Sequence, residues 1–175
     1  MQVILLAVYK YVKFSSMKKA GLLGRRSDCP LNFAVETIGD KWSLIILRDI
    51  IFHGKCTYGE FLRSDEKIAT NILANRLEYL EEDGLISRKL HETDKRTSVY
   101  QITERGIELV PVLIEMVAWS ANDRSWQSIT HSGTEMQRRF VARAAKESNR
   151  PKLIREVKAM LRRGGFVFEG ANNGK

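Results

Sequence analysis

The sequence predicts a mainly α-helical fold carrying one small β-hairpin, and three observations predict it. The first is the stretch at residues 68–86, IATNILANRLEYLEEDGLI, which reads as an amphipathic helix, a glycine stop and the start of a strand. The second is a shorter helix-forming segment at 58–63, joined to that helix by the polar turn 64–67. The third is a pair of strand-like runs, 85–91 and 97–102, around a polar tip at 92–96. Two short helices across a turn, the second with a small polar outer face, form a helix-turn-helix, and a hairpin directly after it makes the unit a winged helix. An apolar helix past the hairpin and further helices beyond it complete the expectation: a winged helix-turn-helix, dimeric, with extra C-terminal helices.

Taken in order, residues 1–14 are apolar with Tyr9, Lys10, Tyr11 and Lys13 interleaved, and they suggest no function. Met17 is a second plausible start, so residues 1–16 are expected to be an upstream extension of the reading frame; an intact mass that includes residue 1 would exclude this. Lys18, Lys19, Arg25 and Arg26 form a small basic arm. Cys29-Pro30 opens the ordered part, and 31–38 suits a short helix that Gly39 breaks. Asp40 is placed to cap the next helix, 41–52, which is apolar almost all round and so belongs in the middle of a core. Its charges Lys41, Arg48 and Asp49 must find exposed edges or partners.

A turn at His53-Gly54-Lys55 follows, and Thr57 with Glu60 three residues on fits a capping box for 58–63. Within 68–82, Leu73, Leu77 and Leu80 share one face, while Thr70, Asn71, Ala74, Asn75 and Glu78 occupy the other. Asparagine can bond adenine in bidentate fashion, and small residues let a helix sit deep in a major groove. Asp83-Gly84 ends the helix, since glycine tolerates the left-handed position after a helix. Val99 and Tyr100 are strong strand formers. Lys95 and Arg96 at the hairpin tip are placed for a DNA backbone or minor groove, with a solvated turn as the alternative.

Thr103 caps the helix after the hairpin, and Pro111 should kink it or mark a restart. Ile107, Val110, Ile114, Val117 and Ala118 make one apolar stripe; Leu109, Leu113, Met116 and Trp119 make a second. One domain face buries one stripe, so the second calls for a homodimer partner or for cover by the tail of the same chain. Residues 127–133 read as a polar linker, 134–148 and 151–163 as helices, and 164–175 as a frayed end. The helix at 151–163 fits a dimer contact, a DNA flank, a membrane surface or simple packing on the domain.

Charge is distributed unevenly. Residues 1–28 carry +5, residues 29–126 carry −4 and residues 127–175 carry +7. The overall basicity therefore sits in the two tails and is weak evidence for nucleic acid. No apolar run is long enough to span a membrane, and residues 3–8 lack the basic lead and cleavage site of a signal peptide. Two cysteines do not make a disulfide scaffold, and a reducing cytoplasm is the expected compartment. His53, His91 and His131 show no metal spacing, and no nucleophile motif or phosphate loop is present, so neither a metal, a cofactor nor an enzyme is expected. Asp65-Glu66 and the acids at 81–83 read as solvated helix ends.

Cys29-Pro30, Gly39-Asp40-Lys41-Trp42, Leu47-Arg48-Asp49, Asn75-Arg76-Leu77, Asp83-Gly84-Leu85-Ile86 and Tyr100-Gln101-Ile102-Thr103 follow one another at fixed spacing. In these motifs the chain resembles the HxlR-type helix-turn-helix domain of bacterial and archaeal regulators over about residues 29–127, with 1–28 and 128–175 outside it. The resemblance implies a cytoplasmic, MarR-like winged-helix dimer that binds double-stranded DNA at inverted-repeat operators, with a small-molecule effector left undefined. It implies that Thr70, Asn71, Ala74 and Asn75 face base edges, and that Thr57 and Tyr58 touch the DNA backbone. Lys95 and Arg96 would form the wing contact, and Arg76 would reach a phosphate or an acidic neighbour. Many members have serine where Ala69 stands, so the start of the recognition helix can shift by a residue. In some members the cysteine before this proline senses oxidants or electrophiles, which makes Cys29 a redox candidate beside its plain structural reading; Cys56 is the weaker one. A winged helix that binds protein instead of DNA is the alternative, motivated by the acidic balance of 29–126.

Overall fold

The computed structural model describes residues 27–129 and 133–168. The apolar start, the candidate start at Met17, the basic arm and His131 lie outside them. Helix α1 (Pro30–Ile38) has Pro30 in its first turn and Cys29 at its N-cap. Helix α2 (Lys41–His53) begins where Asp40 accepts the backbone N–H groups of Trp42 and Ser43, both at 3.0 Å. Its apolar circumference puts it at the centre, with Ile46, Leu47, Ile50, Ile51 and Phe52 buried.

Helices α3 (Tyr58–Leu62) and α4 (Thr70–Glu82) follow, then the antiparallel hairpin β1 (Ile86–Leu90) and β2 (Ser98–Ile102), with Ile86 opposite Ile102 and Leu90 opposite Ser98. A bridge between Thr57 and Val99, with the Tyr100 N–H donating to the Cys56 carbonyl at 2.7 Å, lays the residues before α3 along the other edge of β2. The hairpin and the helix-turn-helix are thus bonded through backbone. Gly84 takes the left-handed conformation (φ 68°), and the N–H groups of Gly84 and Leu85 return to the carbonyls of Glu81 and Leu80 at 2.9 Å each. That is the glycine stop expected from the sequence.

Pro111 marks a restart. Helix α5 (Glu104–Ile107), capped by Thr103, is separate from α6 (Val110–Ala121), whose first turn holds the proline. Gly106 allows α5 to press on the hairpin root: a Cβ there would lie 2.2 Å from the Leu85 carbonyl oxygen. Helices α7 (Arg124–Ile129) and α8 (Glu135–Ala145), a 3₁₀ turn (Glu147–Asn149) and α9 (Arg150–Arg162) complete the described chain. Residues 127–129, expected as linker, continue α7 as helix.

The C-terminal helices pack on the domain. Phe140, Ala144, Leu153, Val157 and Leu161 join the same buried core as α2 and α6. Phe52, Phe140 and Phe168 form an aromatic cluster with ring centroids 5.3–6.0 Å apart. The expected frayed end starts too early: Val167 and Phe168 donate N–H to the Ile51 and Phe52 carbonyls at 3.1 and 2.8 Å, in the last turn of α2. Those carbonyls have no partner within their own helix, so the tail supplies one. Part of the basic face of α9 is also paired with the domain. Arg162 bonds Glu104, Lys158 bonds Glu108 at 2.5 Å, and Arg150 bonds Glu115 at 2.8 Å. Of the roles open for this helix, packing on the domain is the one observed.

His53 ends α2 with its ring 5.3 Å from that of Phe168. Burial, and then the positive charge of Arg48, push its imidazole below the ordinary histidine range. The unfolded chain therefore binds this proton more readily than the folded one, and stability falls as pH drops through about 6.5. His53→Asn should flatten the slope of urea midpoint against pH between about pH 5 and 7; an unchanged slope would remove His53 from the pH response.

Candidate nucleic-acid interface

Helix α4 presents two faces. Leu73, Leu77 and Leu80 are buried, whereas Thr70, Asn71, Ala74, Asn75 and Glu78 are exposed. The helix starts at Thr70, with Ala69 at the N-cap and no side-chain cap. Ile68 is buried but precedes the helix. The Tyr58 hydroxyl donates to the Thr70 carbonyl at 2.7 Å, which ties α3 to the first turn of α4 without capping it. At the other end of α4, the Tyr79 hydroxyl donates to the Glu36 carbonyl of α1 at 2.7 Å.

Three expected DNA contacts carry internal duties. The Thr57 hydroxyl is engaged in the capping box, donating to Glu60 Oε2 at 2.9 Å and accepting the Glu60 N–H at 3.4 Å. Burial alone would raise the Glu60 pKa, but the N–H groups of Cys56 and Thr57 hold the carboxylate below its usual range. Tyr58 is the anchor just described. Arg76 takes the acidic-neighbour role: its Nε lies 3.5 Å from Asp40 Oδ1 and its guanidinium 5.9 Å from the Tyr79 ring centre. The wing tip is more open. Asp94 folds it by accepting the Thr97 hydroxyl at 2.8 Å and the Arg96 N–H at 3.1 Å, bonds that lower its pKa, the Thr97 bond most. Lys95 is exposed, and the Arg96 side chain is 95% exposed beside Asp94.

The turn ahead of α4 depends on residues that the sequence left unassigned. Asp49 of α2 is 1% exposed, and it accepts Arg48 Nε at 3.0 Å, Lys55 Nζ at 3.0 Å and the hydroxyl of Ser64. Arg48 reaches on to Glu66, with Nη2 at 2.9 Å from Oε2. Glu66, read as a solvated end, is in fact bonded: the Arg48 hydrogen bond holds its carboxyl down to about 2. Burial would lower the Arg48 pKa, but Glu66 and Asp49 together raise it. Ser64 and Glu66 lie in the turn, so this network fixes the approach to α4. Within that turn Lys67 adopts φ 51°, and both Lys67 and Arg63 are exposed cations.

Neither cysteine is in a disulfide. Cys29 is exposed at the start of α1. Cys56 is half-buried, and burial followed by the Glu60 charge pushes its thiol up to about 11. Among the described residues no cluster of His, Cys, Asp or Glu could hold a metal ion. No helix among them is long and apolar enough to cross a membrane. The second apolar stripe is divided: Leu113 is buried within the chain and Leu109 is half-buried, while Met116 and Trp119 (74% exposed) remain outside with Val112. The tail thus covers part of the stripe, since α8 packs along α6.

The HxlR-like helix-turn-helix family model matches residues 37–128. The uncharacterized HTH-type transcriptional regulator YybR of Bacillus subtilis is 30% identical over 107 residues, 61% of this chain and 85% of that one. An uncharacterized HTH-type transcriptional regulator of Synechocystis sp. is 35% identical over 88 residues, half of this chain and 64% of that one. The solved structure of the redox regulator HypR in its reduced form superposes with a TM-score of 0.51 at 30% identity, covering 58% of this chain and 100% of that chain. Helices α8 and α9 lie beyond the residues that the family model matches.

Removing one member of a buried charge network leaves its partners uncompensated. Asp49→Ala should cost about 3 kcal/mol in urea unfolding, whereas Glu66→Gln, at the exposed end, should cost under about 1 kcal/mol. Equal costs would show that burial of Asp49 does not set the strength of the network.

Proposed function

Because the chain belongs to the HxlR-like helix-turn-helix family, we propose that it is a dimeric, sequence-specific DNA-binding regulator of transcription, acting as a repressor. The observation that carries this reading is the outer face of α4. Asn71, Ala74 and Asn75 are exposed opposite three buried leucines, so amide groups and a small residue are offered where a groove would receive them. Thr70 begins that face. Lys95 and Arg96 supply phosphate contacts from the wing, joined by Arg63 and Lys67 from the turn. Thr57, Tyr58 and Arg76 serve chiefly by holding α3 and α4 in place.

A second copy meets the exposed part of the stripe. Met116 and Trp119, with Val112, are large apolar side chains on the outside of α6, while Leu109 of the same stripe is half-buried and Leu113 is buried. Two-fold pairing there sets two recognition helices against half-sites about 34–36 Å apart on an inverted repeat. The acidic balance that motivated a protein-binding alternative is partly spent inside the chain, on the ion pairs of Glu104, Glu108 and Glu115 with α9.

A redox input is the second reading, favoured by the exposure of Cys29 and by the likeness to a redox regulator. Two Cys29 thiols of a dimer and one hydrogen peroxide would give an intersubunit disulfide and two waters.

Two measurements test these assignments. Duplexes selected from a random pool should bind the native chain with a steep salt dependence. Asn75→Ala should lose about 1–3 kcal/mol on the selected sequence and little on scrambled DNA. Lys95→Ala should weaken both alike and reduce the salt slope by about one. Equal loss on every sequence for Asn75→Ala would reject its base-reading role. For the redox reading, peroxide should give a dimer band on a non-reducing gel that Cys29→Ser abolishes; persistence of that band in Cys29→Ser would assign the chemistry elsewhere.

A further inference from the structure

Between α2, α6, α7 and α8 the chain leaves a groove of about 430 Å³. Ile45, Phe52, Val117, Trp126 and Val141 give it apolar walls, and Arg48 is the charged side chain in the lining. Volume and lining fall in the range of small-ligand sites. Val141 belongs to α8, beyond the residues matched by the family model, so this chain builds part of the groove from its own extension.

Arg48 joins the groove to the helix-turn-helix. Its guanidinium holds Asp49 and Glu66 at once, and Glu66 lies three residues before the Ala69 N-cap of α4. The two carboxylates are not equivalent. Asp49 is buried and shared among Arg48, Lys55 and Ser64. The Glu66 side chain is 34% exposed and can return to water at little cost. An anion arriving at Arg48 from the groove would therefore displace Glu66 and leave Asp49 in place.

We propose that this groove binds a small apolar carboxylic acid, with its hydrocarbon between Phe52, Val117 and Trp126 and its carboxylate on Arg48 in place of Glu66. Occupancy frees the turn ahead of α4 and lowers affinity for DNA; this last step rests on the DNA-binding reading above. Met116 lines both the groove and the patch assigned to a second copy, so the groove opens beside that seam.

Calorimetry on the full chain with 2-naphthoate and its neutral amide, 2-naphthamide, tests the site without DNA. The acid should bind at least tenfold more tightly than the amide. Glu66→Gln should tighten the acid severalfold and leave the amide unchanged, because the competing carboxylate is gone. Val141→Trp should fill the groove and abolish both. Equal affinities, no response to Glu66→Gln, or no binding at all would overturn the proposal; the last is the result expected if a second copy or residues 1–26 already fill the groove. Should Val141→Trp not fold, Glu66→Gln decides alone. With selected duplex present, naphthoate should reduce DNA affinity severalfold. Naphthoate binding with unchanged DNA affinity would overturn the coupling only. Absence of DNA binding without naphthoate would count against the regulator reading and leave the groove standing.

Discussion

Asp49 is a carboxylate with 1% exposure in the central helix of the core, among Ile46, Leu47, Ile50, Ile51 and Phe52. A charge there is tolerable only with its partners close, because the desolvation cost is otherwise several kcal/mol. Those partners come from three places: Arg48 from the same helix, Lys55 from the turn after it and Ser64 from the turn before α4. Satisfying one buried charge therefore fixes the relative positions of the core helix and the approach to the exposed helix. Arg48 extends the constraint to Glu66, on the surface. The polar network acts as a positional lock beneath the site, and the leucines of α4 supply the burial that holds the helix down.

The tail is a second constraint, built from different physics. An aromatic cluster of Phe52, Phe140 and Phe168 closes the C-terminal end of α2, and backbone bonds from Val167 and Phe168 satisfy carbonyls that the helix itself cannot. Around this apolar seal lie the ion pairs of α9 with Glu104, Glu108 and Glu115. These pairs are largely exposed and add little stability each. Their effect on charge is larger, since they neutralise cations of the basic tail with acids of the central domain. Net charge thus overstates the cations free to meet a partner: Arg150, Lys158 and Arg162 are already paired with acids of the domain.

The side chains around α4 divide by task. Tyr58, Tyr79 and Arg76 hold the helix by its first carbonyl, by the α1 backbone and by Asp40. Asn71, Ala74 and Asn75 make none of these anchoring contacts and stay exposed. A face that contributes nothing to the fold is free to be set by what it touches, which is the physical sense in which α4 is available for recognition.

Local pattern alone was enough for the helix-turn-helix, the hairpin, the caps by Asp40, Thr57 and Thr103 and the stop at Gly84, because each depends on neighbours within a turn or two. It also separated the leucine face of α4 from its amide face, since 3.6-residue periodicity is a property of sequence. What it left open needed distant partners. The family resemblance left Arg76 a phosphate or an acidic neighbour, and only packing brought it to Asp40. Spacing could mark two stripes past the hairpin, and only the packed structure, with α8 and α9 against α6, shows Leu113 buried and Trp119 outside. Asp49 and Glu66 lie seventeen positions apart and share one guanidinium, an arrangement that no periodicity encodes. Sequence determines which surfaces are apolar and where helices begin and end; tertiary structure decides which charges meet, because burial makes each choice depend on everything packed around it.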